Sequence, residues 1–346
     1  MAKGMKTRSE SPRIRDNRPS PAAMPHSLTA QERDLVRGYL KAATTDNTRR
    51  TYQSAIRQFE RWGGRLPAEA DTIIRYLIDR QPDVSIRTLD LHMTALRQWH
   101  EYQRLPDPTR NPLVQKTLEG MRRRHGSPKK KARPLSMDEL AAMIRWLNKQ
   151  EPSLIQHRNR ALILTAFFGA FRRSELVSLS CENLEWHSEG VVITLPRSKT
   201  DQLGEGMERA IPRDHSILCP VTALSTWIEE AELQSGPLFR RINRWGQPGQ
   251  AAMDPSSINL ILKKIATEAG LGNASDFSSH SFRRGLSTSA ARAGVDFELI
   301  RKQGGWKHDA TVREYIDEGR ALDDNAAREL LKTLKSQSDE ESSKKR

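Results

Sequence analysis

The sequence predicts a mainly α-helical protein with a small antiparallel β-sheet, arranged as two helix-rich domains joined by a basic linker. Three observations carry that reading. Apolar residues recur at the 3.6-residue period of a helix face turned toward a core through most of the chain. One run, Gly190-Val191-Val192-Ile193-Thr194-Leu195, has instead the length and β-branched composition of a strand. Between the two halves, Gly126, Ser127 and Pro128 break the helical pattern inside RRRHGSPKKKARP, whose charge cannot be buried. At 346 residues the chain can build two separate cores.

The charge balance bounds the partner. The chain holds 57 Lys/Arg against 43 Asp/Glu, a net charge of +14. The first 25 residues carry six Lys/Arg and two Asp/Glu, and residues 335–346 carry four and three, so about +9 belongs to the body between them. A folded body this basic points to a polyanion, with nucleic acid the commonest. Cys181 and Cys219 fit neither a metal spacing nor a disulfide framework, so a reducing, cytoplasmic setting is expected; with no phosphate-binding glycine loop and no carboxylate metal cluster in the sequence, no metal and no cofactor are expected. No apolar run reaches membrane-spanning length, and the N-terminus lacks the apolar segment of a secretory signal.

Taken in order, residues 1–25 read as a disordered basic tail. Thr29 and Glu32 form a capping box that opens a helix through Leu35, Tyr39 and Leu40. A second helix starts near Thr48, with Tyr52, Ala55, Ile56, Phe59 and Trp62 on its apolar face. A third follows Pro67 through Ile73, Ile74, Leu77 and Ile78. A fourth runs from about Ser85 through Leu89, Met93, Leu96 and Trp99, and a fifth holds Leu113, Val114, Leu118 and Met121. These make a helical domain at 26–123. Arg49, Arg50, Arg87 and Arg97 lie on its polar faces, where they can meet a DNA backbone or groove or simply face solvent. The linker at 124–134 adds Lys129, Lys130 and Lys131, which suit a path along a duplex as well as a plain hinge.

The second domain is expected at 135–335. Ser136 and Glu139 form its opening capping box. A buried helix around Arg160 to Phe168 ends at Gly169, and Arg172-Arg173-Ser174-Glu175-Leu176 follows. The strand 190–195 leads into Arg197-Ser198-Lys199-Thr200, with a return strand at Arg209 to Pro212. Helices are expected near Val221–Ala231 and Ser256–Ala269. The stretch from His280 to Tyr315 carries the chemistry. His280 and Arg283 are three apart on a helical segment, so they share a face. A guanidinium can grip two phosphate oxygens and an imidazole can donate to a third. Gly304-Gly305-Trp306 then turns the chain, and Tyr315 falls nine residues after Trp306 in a second helical pattern. A short amphipathic helix spans 322–335, and 336–346 form a second tail.

His-x-x-Arg, the GGW turn and the tyrosine after it resemble the C-terminal signature of the tyrosine recombinases, the phage integrase family that includes Cre, Xer and lambda-type integrases. The tryptophan resembles the Cre-like branch, since many relatives carry histidine there. TRRTYQSAIRQFERW is similar to the family's N-terminal core-binding domain, a SAM-like helical fold, and RRSEL matches the family's first arginine motif. The resemblance implies a core-binding domain followed by a tyrosine-recombinase catalytic domain. It implies Arg172 as a catalytic arginine with Glu175 beside it, His280, Arg283 and Trp306 around the phosphate, and Tyr315 as nucleophile. It also implies Lys199 as general acid, and an ammonium, unlike a guanidinium, can give up its proton. Glu175 and His280 are both candidates for the general base.

The implied reaction is site-specific recombination of double-stranded DNA at an inverted-repeat site. Strands are cut through a 3′-phosphotyrosine link and exchanged through a Holliday junction, inside a homotetramer; the helix at 322–335 either packs on its own domain or, as in relatives, docks into a neighbouring protomer. A topoisomerase of type IB would use the same chemistry on one duplex. A DNA-binding protein without catalysis would need neither Lys199 nor Tyr315.

Overall fold

The computed structural model describes residues 28–128, 130–195, 206–320, 325–328 and 330–331. The chain divides into two compact units, residues 1–129 and 130–346.

Among the described residues the first unit holds five α-helices, α1 (Ala30–Ala42), α2 (Asp46–Trp62), α3 (Ala70–Arg80), α4 (Ile86–Tyr102) and α5 (Pro112–His125). Their starts follow from side chains that satisfy the free N–H groups of a first turn. Thr29 and Glu32 cap α1 reciprocally, and Thr45, Ser85 and Asn111 cap α2, α4 and α5. Phe59, Ile73, Tyr76, Leu77, Leu89, Leu96, Val114 and Leu118 form the core. From α2 to α5 the expected periodicity holds, with two exceptions: Ile78 and Leu113 are exposed, and Tyr76 is buried in Ile78's stead. Tyr76 can enter the core because its hydroxyl pairs with His92 Nδ1 at 2.8 Å. In α1, Leu35, Tyr39 and Leu40 are exposed.

The second unit contains α6 (Met137–Asn148), α7 (Leu154–Phe168), α8 (Arg173–Ser178), β1 (Leu184–His187), β2 (Gly190–Leu195), β3 (Met207–Pro212), α9 (Pro220–Glu230), β4 (Arg240–Ile242), β5 (Pro248–Ala252), α10 (Ser257–Glu268), α11 (Ser279–Arg292), α12 (Phe297–Gly304) and α13 (Asp309–Arg320). The central helix α7 buries Ala161 through Phe167 without a break and packs against α9 and α11. The antiparallel sheet β1-β2-β3 keeps Val191 opposite Ile211 and Ile193 opposite Arg209. The β1 strand and the β4–β5 hairpin are absent from the sequence reading. The reason is local: β1 is four residues long and mostly exposed, and PGQAA in β5 has no β-branched residue.

Gly285 sets how closely the segment after the linker approaches α11. A Cβ there would overlap the Leu135 carbonyl, and the Leu135 N–H donates to the Ser281 carbonyl at 3.1 Å.

Candidate active site

The site starts where α7 ends. After Gly169 the chain passes through Ala170 in the left-handed region, at φ +47°. A non-glycine residue held there is an uncommon, costly conformation that often accompanies function. It presents the Ala170 carbonyl as an acceptor for Arg283 Nη1. Phe171 anchors the turn in the core and Arg172 precedes the first residue of α8. Glu175, at the third position of α8, reaches back to the Arg172 backbone N–H at 2.9 Å and pairs with Arg172 Nη1. Glu175 is 3 % exposed, whereas Arg173 is exposed. Of the two arginines, Arg172 is the one that Glu175 pairs with.

Helix α11 supplies the second cation. Ser278 caps it, His280 lies exposed in its first turn, and Arg283 one turn later is 3 % exposed. Arg283 bridges two distant segments, donating to the Ala170 carbonyl and to the Gly304 carbonyl at 2.9 Å. Its guanidinium lies over the Trp306 ring, 4.6 Å from the centroid. Burial pushes its pKa down to about 10. The charges of Arg172 and Arg209 act in the same direction, while Glu175 and Tyr315 oppose them.

The tyrosine is held by α12 and α13. Gly305 closes α12 in the left-handed conformation at φ +58°, which glycine adopts without penalty. Trp306 follows, buried with Ile300 and Val312 in a small cluster that Tyr315 and Ile316 pack against. The residue after Arg283 has its own role: Arg284 pairs with Glu318 and sits 5.3 Å from the Tyr315 ring centroid. Glu318 is three residues past Tyr315, so the pair fastens the tyrosine's helix to α11.

The fold thus gathers Arg172, Glu175, Arg283, Trp306 and Tyr315 from three parts of the chain, with His280 on the exposed end of α11. Lys199 lies outside the described residues, although β2 and β3 on either side of it are in place. One member of the cluster was missed. Arg209 on β3 is 1 % exposed and its charge acts on Glu175 and Arg172. The signal was present, because in MERAIP the inward positions are Arg209 and Ile211, and a cation at an inward strand position calls for a reason.

The expected DNA contacts differ in exposure and pairing. Arg50 and Arg87 are exposed, and Arg49 pairs with Asp46. Arg97 is partly buried, with its Nε lacking a hydrogen-bond partner. Lys130 pairs with Asp276 at 2.9 Å, Lys131 pairs with Glu314, and Lys129 lies outside the described residues. Among the described residues no His, Cys, Asp or Glu group is placed to hold a metal, and no helix is long and apolar enough to cross a membrane.

Comparison with known proteins gives the family. The phage integrase family profile matches residues 130–321, more than half of the chain and all of the described site. The chain belongs to the phage integrase family. It is a site-specific tyrosine recombinase, an enzyme that breaks and rejoins DNA. The chain is 33 % identical over 296 residues to an integrase/recombinase XerD homolog of Selenomonas ruminantium, covering 83 % of this chain and 86 % of that one. Among solved structures it is similar to the XerH recombinase in a post-cleavage complex with palindromic difH, at TM-score 0.53 and 20 % identity. That match covers 74 % of this chain and 72 % of the other. A lambda integrase dimer bound to a COC′ core site matches at TM-score 0.55 and 15 % identity, over 86 % of this chain and 79 % of that one. At such identities these two structures establish the shared fold. The integrase fold is the mainly helical one with small antiparallel sheets that the sequence predicts.

Proposed function

We propose that this recombinase cuts DNA through Tyr315. The phenol oxygen attacks the scissile phosphorus in line, a phosphorus–oxygen bond to Tyr315 forms, and the bond to the 5′-oxygen breaks. Arg172, Arg283 and His280 stabilise the charge that builds on the non-bridging oxygens, where each fixed donor is typically worth about 3–4 kcal/mol of barrier. Lys199 protonates the leaving 5′-oxygen. The 3′-phosphotyrosine keeps the energy of the broken bond, and a 5′-hydroxyl from another strand reverses the step. Exchange then runs through a Holliday junction in a homotetramer on an inverted-repeat site, with the segment 322–335 joining protomers. Domains at 26–123 and 135–335 each bind the duplex and the linker at 124–134 lies along it, with Arg49, Arg50, Arg87, Arg97, Lys129, Lys130 and Lys131 contacting its backbone.

One relationship supports the reading above the rest: Arg283 touches the turn before Arg172 and the turn before Trp306, and Trp306 abuts Tyr315. A phosphate gripped by Arg172 and Arg283 would therefore lie beside the tyrosine of the same subunit. Trp306 in the place of histidine, packed under Arg283, favours the tryptophan-bearing, Cre-like form of the site.

The test is recovery of DNA from denatured protein after expression in cells, followed by sequencing of the attached ends. A recurrent inverted-repeat sequence, lost in Y315F, is expected. A plasmid carrying that sequence should recombine, and a plasmid without it should stay supercoiled. Relaxation of the plasmid without it would mark the topoisomerase reading, and the absence of any attached DNA would mark a binder without catalysis.

A further inference from the structure

Arg209 is an arginine without an assigned duty, placed where one is expensive. Its side chain is 1 % exposed, and its Nε and Nη2 lack hydrogen-bond partners. Among the described residues Nη1 alone is used, donating to the Lys302 carbonyl at 3.1 Å. Two unmade hydrogen bonds on a buried cation cost several kcal/mol between them, by order of magnitude, so such a group calls for a purpose or a missing partner.

Its surroundings supply one. Arg209 acts electrostatically on Glu175 and on Arg172, and Arg283 in turn feels Arg209. Glu175 pairs directly with Arg172, and its charge also acts on Arg209 and Arg283, so three guanidiniums share one carboxylate and the excess of positive charge favours an anion. Strand β3 begins just past the segment holding Lys199, and the Lys302 carbonyl belongs to the last turn of α12, just before Trp306. Gln303 makes a second tie between the same elements, donating to the Ala210 carbonyl at 3.3 Å. Gly305 completes the fit, since a Cβ there would overlap Arg209 Nη2 and Met207 Sδ. The same groove, about 660 Å³ in volume, opens between Met207, Arg209, Lys302 and Trp306.

We infer that Arg209 is a positioning residue of the recombination site, a third arginine whose fixed charge holds Arg172, Glu175 and the Trp306 turn ready for the scissile phosphate. The inference rests on the phosphotyrosine reading above and deepens it.

The test compares R209M and R209K with wild type, R283A and Y315F in single-turnover cleavage of the DNA site. Two substrates are used, one with an ordinary scissile phosphodiester and one with an uncharged methylphosphonate at that position. R209M should cleave the phosphodiester about 100-fold more slowly, the size typical of losing one preorganised electrostatic contact. R209K, which keeps the charge, should stay within about tenfold, and DNA affinity should change little, because the residue is buried. The deficit of R209M should shrink on the methylphosphonate, where less charge builds up, and a merely structural defect would not respond to that change. Wild-type cleavage by R209M, or an equal deficit on both substrates, overturns the inference. If R209M does not fold, R209K decides: a folded R209K as slow as R283A overturns it. Covalent product from Y315F would instead overturn the underlying reading, whatever the Arg209 variants do.

Discussion

Trp306 and Tyr315 meet edge to face, with ring centroids 5.8 Å apart and planes at 63°. Nine residues separate them in sequence, and the Gly305 cap brings the second ring back onto the first. Arg283 also lies over the Trp306 ring, 4.6 Å from its centroid. The indole therefore touches both the buried cation and the tyrosine. W306A should lower the stability of the C-terminal unit by about 3–5 kcal/mol, the range for deleting a large buried aromatic. It should also cut the yield of covalent protein–DNA complex. W306F fills most of the space and should recover most of the stability, measured by chemical denaturation. Cleavage by W306F then reports what the indole N–H adds.

Arg284 and Glu318 make the second tie on the tyrosine's helix. R284E and E318R should each slow formation of the covalent complex, since each leaves like charges facing one another beside the Tyr315 ring. The double variant should recover about tenfold of that loss, as a coupling of about 1.4 kcal/mol between contacting residues gives. DNA affinity, measured by fluorescence anisotropy, should move little across the set.

Gly305 offers a backbone test. Its φ of +58° and its contact with Arg209 and Met207 leave no room for a side chain. G305A should cost about 1–3 kcal/mol of stability, from left-handed strain and the displaced neighbours together. The loss should appear in the urea midpoint and be accompanied by slower cleavage.

His92 gives a pH test in the N-terminal unit. Burial holds its imidazole below the ordinary range, and the nearby Arg80 acts the same way. The folded value lies below the unfolded one, so the unfolded chain takes up the proton first as pH falls. The stability that depends on neutral His92 is fully present above the ordinary histidine value of about 6.5 and is lost as pH falls from there through the lowered value of the folded state. Unfolding free energy measured between about pH 7 and pH 5 should therefore fall more steeply in wild type than in H92Q.

Much of this architecture was legible in the sequence because the helices announce themselves. The capping boxes at Thr29 and Ser136 and the periodic faces of α2 and α4 are local signals, and they fold as read. RRSEL was legible for the same reason, since Glu175 caps the helix that Arg172 opens. Arg209, Arg284 and the Ala170 carbonyl were not read out. Their roles depend on contacts reaching 93, 34 and 113 residues along the chain, and no short pattern reports those. The exposed Ile78 and buried Tyr76 show the same limit, because a hydroxyl partner on another helix decides which of them enters the core.

The most direct measurement is the site of DNA attachment. The DNA sequence recovered from the protein is built into a nicked duplex that traps the cleaved strand. After reaction the protein is digested, and the peptide carrying the oligonucleotide is identified by mass. The expected result is a single adduct, on Tyr315, joined to a 3′-phosphate and absent from R172A and R283A. An adduct on any other residue, or one that persists in both arginine variants, would contradict the account.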